Sequence, residues 1–136
     1  MADHIATGLV HHLTLTVTDL KRSEAFYSEL LGFKKIADLS PTRMIMTNNG
    51  AVLALSLPPD PSWALRNDAF NENRVGLDHV SFNVGSRSAL DEAIELFDAH
   101  GVSHGEVKDL GEAFGICVLA FRDPDNIQLE LTAPRS

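Results

Sequence analysis

The feature that most constrains this chain is a pattern used twice: strand, helix, then three strands, with a histidine at the same place in each opening strand. The run LVHHLTLTV, residues 9–17, sets Leu13, Leu15 and Val17 at period two with His12, Thr14 and Thr16 between them, which describes a strand with one apolar and one polar side. Asp19 then stands where a helix cap belongs. KRSEAFYSELLGF spaces Ala25, Phe26, Leu30 and Leu31 along a helical stripe, and Gly32 supplies the stop. Apolar runs near 34–39, 43–47 and 52–57 follow, with Asn48, Asn49 and Gly50 giving the freedom a hairpin turn needs.

From Val75 the order begins again. GLDHVSFNV alternates Val80, Phe82 and Val84 against His79, Ser81 and Asn83, and SALDEAIELFDAHGV predicts an amphipathic helix ending near Gly101. Strands are predicted near 104–108, 115–121 and 127–132, the last preceded by the turn Asp123-Pro124-Asp125-Asn126. One domain over 1–136 follows, with module one at about 9–57, a linker at about 58–74 and module two at about 75–133. The linker PPDPSWALRNDAFNEN is rich in Pro, Asp and Asn, which predicts a loop with at most a short helical turn.

Strand parity then sorts the histidines. In the first strand the aliphatic residues are odd-numbered, so His12 takes the opposite face and His11 the packed or rim side. His79 shares a face with Ser81 and Asn83, while Ile127, Leu129 and Leu131 leave Gln128, Glu130 and Thr132 pointing the other way. A glutamate between leucines is costly unless that face is wet or its charge is paired. Two imidazoles and a carboxylate form a set that holds a divalent metal and leaves coordination positions open, as catalytic sites do. The same residues also fit a plainer reading, two strand histidines hydrogen-bonded to Thr or Ser neighbours and a glutamate at a rim.

Charge and cysteine content narrow the class. Nineteen acidic against eleven basic residues give a formal charge of −8 with no Lys/Arg run, which argues against nucleic acid as a partner. No stretch approaches the roughly 20 apolar residues that span a bilayer, and no secretory leader is legible, so neither a membrane nor export is expected. Cys117 is the single cysteine; it sits in the apolar run GICVLAF, where it reads as a buried packing residue, and the lack of a disulfide partner suits a reducing, cytoplasmic setting.

HLTLTVTDLKRSEAFYSELLGF, DHVSFNV and FRDPDNIQLEL resemble the two module openings and the terminal strand of the vicinal-oxygen-chelate superfamily, the glyoxalase, bleomycin-resistance and extradiol-dioxygenase group. The resemblance covers nearly the whole chain. It implies an α+β fold in which two βαβββ modules form an open, cup-shaped mixed sheet with helices outside. It implies one divalent metal (Fe, Mn, Zn, Ni or Co) on His12, His79 and Glu130, Glu130 also being the catalytic candidate, and a homodimer acting on a small-molecule substrate. Thr14, Ser81, Asn83, Gln128 and Trp63 are the substrate-binding candidates, and Thr14, Thr16, Ser81, Asn83 and Gln128 are also placed to fix the histidine tautomers. Arg43, Arg66, Arg74 and Arg122 are lesser candidates for an anionic substrate.

The usual fourth ligand position falls on Ala54, which cannot bind a metal, and the turn carries Asn126 where Gly is usual. The expected activity is lyase, isomerase, thiol transferase or dioxygenase chemistry on vicinal oxygens. The alternative is a bleomycin-resistance-like protein that binds or sequesters a small molecule without catalysis.

Overall fold

The computed structural model describes residues 3–136. The elements run β1 (Leu13–Thr16), α1 (Leu20–Glu29), β2 (Lys34–Ser40), β3 (Arg43–Asn48), β4 (Ala51–Ser56), a single 3-10 turn at Pro61–Trp63, β5 (Val80–Asn83), α2 (Arg87–Ala99), β6 (Lys108–Asp109), β7 (Ile116–Arg122) and β8 (Gln128–Pro134). The chain divides into two compact units between Ala64 and Leu65. Each unit is an α+β module with one helix and one four-stranded mixed sheet.

The duplication extends to topology. The first sheet has the order β1-β4-β3-β2 and the second β5-β8-β7-β6. In both, the opening strand pairs parallel with the last, and the remaining pairs are antiparallel.

In the first unit Leu13 and Leu15 pair with Leu53 and Leu55, which pair in turn with Met46 and Met44. Directly paired residues share a face, so these six form one apolar side, and α1 packs on β4 and β2. Asp19 caps α1 by accepting from Arg22 N at 3.0 Å. The buried stripe of α1 is Ser23, Phe26 and Tyr27. Ala25 is exposed and Leu30 only half-buried, because ten residues of helix bury a narrower face than the predicted stripe covers. The β3–β4 turn uses Asn49 and Gly50 at φ of 47° and 86°, the two left-handed positions of a hairpin turn that matches strand twist.

In the second unit Leu129 and Leu131 pair with Val80 and Phe82 on one side and with Phe121 and Leu119 on the other. α2 lies on β7 and β8, burying Leu90 and Phe97. Phe97 stacks on Phe121 with ring centroids 4.5 Å apart, and Cys117 is buried and free.

Two predicted strands are shorter than expected. The opening strand begins at Leu13 rather than Leu9, because its ladder with β4 starts at Leu13–Leu53. The strand predicted at 104–108 reduces to Lys108–Asp109 and an isolated bridge between His104 and Phe121. Gly105 and Glu106 carry no apolar side chains to pack there.

His104 makes its own link. Its Nε2 lies 2.7 Å from Asp98 Oδ1 at the end of α2, and its Nδ1 2.7 Å from the Gly105 carbonyl oxygen. Both partners are acceptors, so the ring donates twice only as the imidazolium. The Asp98 carboxylate and then the Gly105 carbonyl hold its pKa above the usual histidine range, against partial desolvation. A raised folded-state pKa gives stabilisation that is complete below the unfolded value of about 6.5 and lost as pH rises through the folded value. Thermal midpoints of the wild type should therefore fall across that window relative to those of His104→Gln, and parallel pH profiles would contradict the assignment.

Candidate metal centre

His79 stands immediately before β5, where the chain leaves the ladder, and Glu130 lies on β8. Two residues after His79, Ser81 pairs directly with Glu130. Two residues after His12, Thr14 pairs with Ala54 in the same way. Glu130 and Ala54 are therefore equivalent in the two modules, and only the second module carries the acid. Ala54 is buried, 5% exposed, so the first module closes that position with a methyl group.

His79 Nε2 stands 3.6 Å from Glu130 Oε1, with the side chains 40% and 19% exposed. That separation is long for a hydrogen bond. Two donors each about 2.0–2.2 Å from one cation stand roughly 3 to 3.5 Å apart, within a few tenths of an ångström of the distance found. One partly buried carboxylate and one partly exposed imidazole fit a divalent cation.

The other ring nitrogen is already held. His79 Nδ1 is 2.8 Å from Asp78 Oδ1. Gln128 Nε2 donates to the same Oδ1 at 2.8 Å and to the Asp78 carbonyl at 3.1 Å. Arg122 Nη2 donates to Gln128 Oε1 at 3.4 Å and lies 2.7 Å from Glu72 Oε1. Arg122 holds the Glu72 carboxyl below the usual carboxylate range, mainly by hydrogen bonding and partly opposed by desolvation. In the first module the residue before the histidine acts alike: His11 Nδ1 is 2.9 Å from His12 Nδ1.

Thr14, Thr16, Ser81, Asn83 and Gln128 were candidates either to bind the substrate or to hold these nitrogens. The structure gives the role to the preceding residues, because both histidines lie outside their ladders, where alternation no longer sends neighbours to opposite faces. Asp78 carried one signal in the sequence, a carboxylate adjoining a candidate ligand. Glu72 carried none, being 50 residues from the arginine it meets.

The turn that aims Glu130 is equally defined. Asp123 Oδ1 accepts from Asp125 N at 2.8 Å and Ile127 N at 2.9 Å, and Asn126 takes φ of 64°, a conformation Asn adopts more readily than most residues. Asn126 Nδ2 also donates to the Phe70 carbonyl at 3.0 Å, a contact glycine could not make. The turn sets the register in which Ala120 faces Glu130 and Arg122 faces Gln128.

Residues 9–131 match the model of the Glyoxalase/Bleomycin resistance protein/Dioxygenase superfamily. The chain belongs to this superfamily. A glyoxylase/bleomycin resistance protein/dioxygenase domain from Frankia sp. EAN1pec is 32% identical with a TM-score of 0.76, the match covering 96% of this chain and 95% of that one. The Bacillus subtilis protein YwkD, itself uncharacterized, is 29% identical over 90% of this chain and 94% of its own length. FosX, a genomically encoded fosfomycin resistance protein from Listeria monocytogenes, is 25% identical with a TM-score of 0.70 over 95% and 94% of the two chains. FosX has also been crystallised with Mn(II) and sulfate.

Glu130 and His79 come together in the second unit, and His12 lies in the first. Among the described residues, no three His, Cys, Asp or Glu side chains are grouped as a metal site. Ser81 Oγ is hydrogen-bonded to Thr132 Oγ1, which donates a long 3.5 Å bond to Glu130 Oε1. Gln128 is taken up by Asp78 and Arg122, and Arg122 by Glu72 and the Asn126 carbonyl. Thr14 and Asn83 are exposed, as is Trp63 in its 3-10 turn at 84%. Among the described residues, no helix is long and apolar enough to cross a membrane.

Proposed function

We propose that this protein is a divalent-metal-dependent enzyme of the superfamily, with His12, His79 and Glu130 holding one cation that chelates two adjacent oxygens of a small organic substrate. The observation that carries the reading is the His79–Glu130 pair at 3.6 Å, whose outer histidine nitrogen is already fixed by Asp78. When bound, the cation supplies Lewis-acid stabilisation to an oxyanion developing on the substrate. Mn, Fe, Zn, Ni and Co all suit imidazole with carboxylate.

The protein's own side chains bind and orient. Glu130 brings the only negative charge of the three donors, and Thr132 directs one of its oxygens. Thr14 and Asn83 offer exposed polar groups for the substrate, and Trp63 an aromatic face.

We further propose a cytoplasmic homodimer. Leu9 and Val10, just ahead of His12, are 98% and 86% exposed, and Val75, just ahead of His79, is fully exposed. A second copy covering these residues would remove that apolar surface from water.

A second reading is supported by the exposure of Trp63 and by the hydrogen bonds that already occupy Ser81, Gln128 and Arg122, which leave little for acid–base work. In it, the protein sequesters an aromatic or drug-like molecule without catalysis. Oxygen uptake with catechols and thiol-addition assays on metal-reconstituted protein separate the two. Turnover that disappears on stripping the metal supports the enzyme. Ligand binding indifferent to stripping, with no turnover in either assay, supports sequestration.

A further inference from the structure

The polar side chains around His79 form a hydrogen-bonded line whose direction is set at one end. Glu72, on the segment before β5, accepts from Arg122. A guanidinium has donors only, so the side of Gln128 that meets Arg122 must be its carbonyl oxygen. The amide nitrogen of Gln128 then faces Asp78 and donates to both its carbonyl and its carboxylate oxygen. A carboxylate accepts only. The nitrogen of His79 that meets Asp78 Oδ1 must therefore bring the proton, and in the neutral ring the lone pair is left on Nε2, the nitrogen facing Glu130. Two lone-pair-bearing atoms then stand 3.6 Å apart, an arrangement that a cation between them would relieve.

We propose that Asp78 is the positioning residue of the candidate centre, fixing His79 as the Nδ1–H tautomer and so presenting Nε2 to the cation, and that Arg122 and Gln128 fix the direction of the bond that does this. The proposal rests on the metal-site reading for its purpose but not for its geometry. The arrangement is asymmetric between modules. His12 has another imidazole, His11, in the place of Asp78. Either ring of that pair can be the donor, so the first module selects no tautomer by this means. The second module is the preorganised half and the first the adaptable one.

The test uses metal-stripped full-length protein. The 15N shifts of the neutral His79 ring report which nitrogen carries the proton, and calorimetry with Mn(II) or Zn(II) alone reports affinity. Wild type should show Nδ1–H. Asp78→Ala should move the population to Nε2–H and weaken the cation by about 10- to 100-fold, the usual cost of losing the partner of a ligating histidine. Asp78→Asn, whose amide oxygen can still accept, should keep the wild-type tautomer and recover part of the affinity. The Asp78 side chain is 66% exposed, so the variants should fold, and unchanged thermal midpoints would verify it. An Nε2–H ring in the wild type, or an Asp78→Ala ring that stays Nδ1–H, would overturn the proposal. A tautomer that switches as expected in a protein that binds neither metal would leave the role of Asp78 standing and remove the metal-site reading.

Discussion

Replacing Glu130 with alanine is expected to weaken divalent-cation binding by more than the roughly 100-fold that follows loss of a ligand's hydrogen-bond partner, with little change in stability. Glu130 is the only anionic donor in the proposed set, and its side chain is only 19% exposed, so it stands on β8 at a desolvation cost that the fold does not need. Its direct pair Ser81 is bonded to Thr132 rather than to it, and its own bond from Thr132 is long. Removing the carboxylate therefore breaks few contacts and relieves a partly buried charge. Stability within about 1 kcal/mol of wild type, or slightly above it, is the pattern of a residue kept for function. Isothermal titration with Mn(II) or Zn(II), beside chemical denaturation, measures both quantities. A variant that binds as well as wild type, or that unfolds instead, would place Glu130 among structural residues.

Phe97→Ala should do the reverse. Phe97 is 1% exposed, stacks on Phe121 and leans on the His104 ring at 6.1 Å. It is the point where α2, β7 and the His104 bridge meet. Truncating a buried aromatic ring typically costs about 3–5 kcal/mol, which in a domain of this size lowers the thermal midpoint by on the order of 10–20 °C. Glu130 does not share its face: it pairs with Ala120, while Phe121 pairs with Leu129. The folded fraction at low temperature should therefore bind a cation with unchanged affinity. Calorimetric unfolding and a cold titration check the two halves, and a midpoint shift of only a few degrees would mean the core relaxes around the cavity.

Much of this was legible from alternation. Val80, Phe82, Leu129 and Leu131 do share one side, and Ser81 and Glu130 the other; that these two pair directly comes from the ladder and not from the pattern. The repeated module appears as the same strand order in both sheets. Period-two reasoning works where a ladder forces it, because hydrogen bonding fixes which way each side chain points. It stopped one residue too soon for the histidines. His79 precedes β5 by one position, and at such a position the side chain before it can turn to the same ring, as Asp78 and His11 both do. The Glu72–Arg122 bond joins residues 50 apart in the chain, and local pattern contains no record of it. β6 fell short for a related reason: a two-residue pairing is decided by its partner strand rather than by its own propensity.

The proposed centre holds one divalent cation on His12, His79 and Glu130. Elemental analysis of protein purified without a metal-affinity tag, reconstituted with each of Mn, Fe, Ni, Zn and Co and then desalted, tests it most directly. One cation per chain is expected in the wild type with at least one of these metals, and none in His12→Ala, His79→Ala or Glu130→Ala. Wild-type protein that retains no metal under any of these conditions, or three variants that retain as much as wild type, would contradict it.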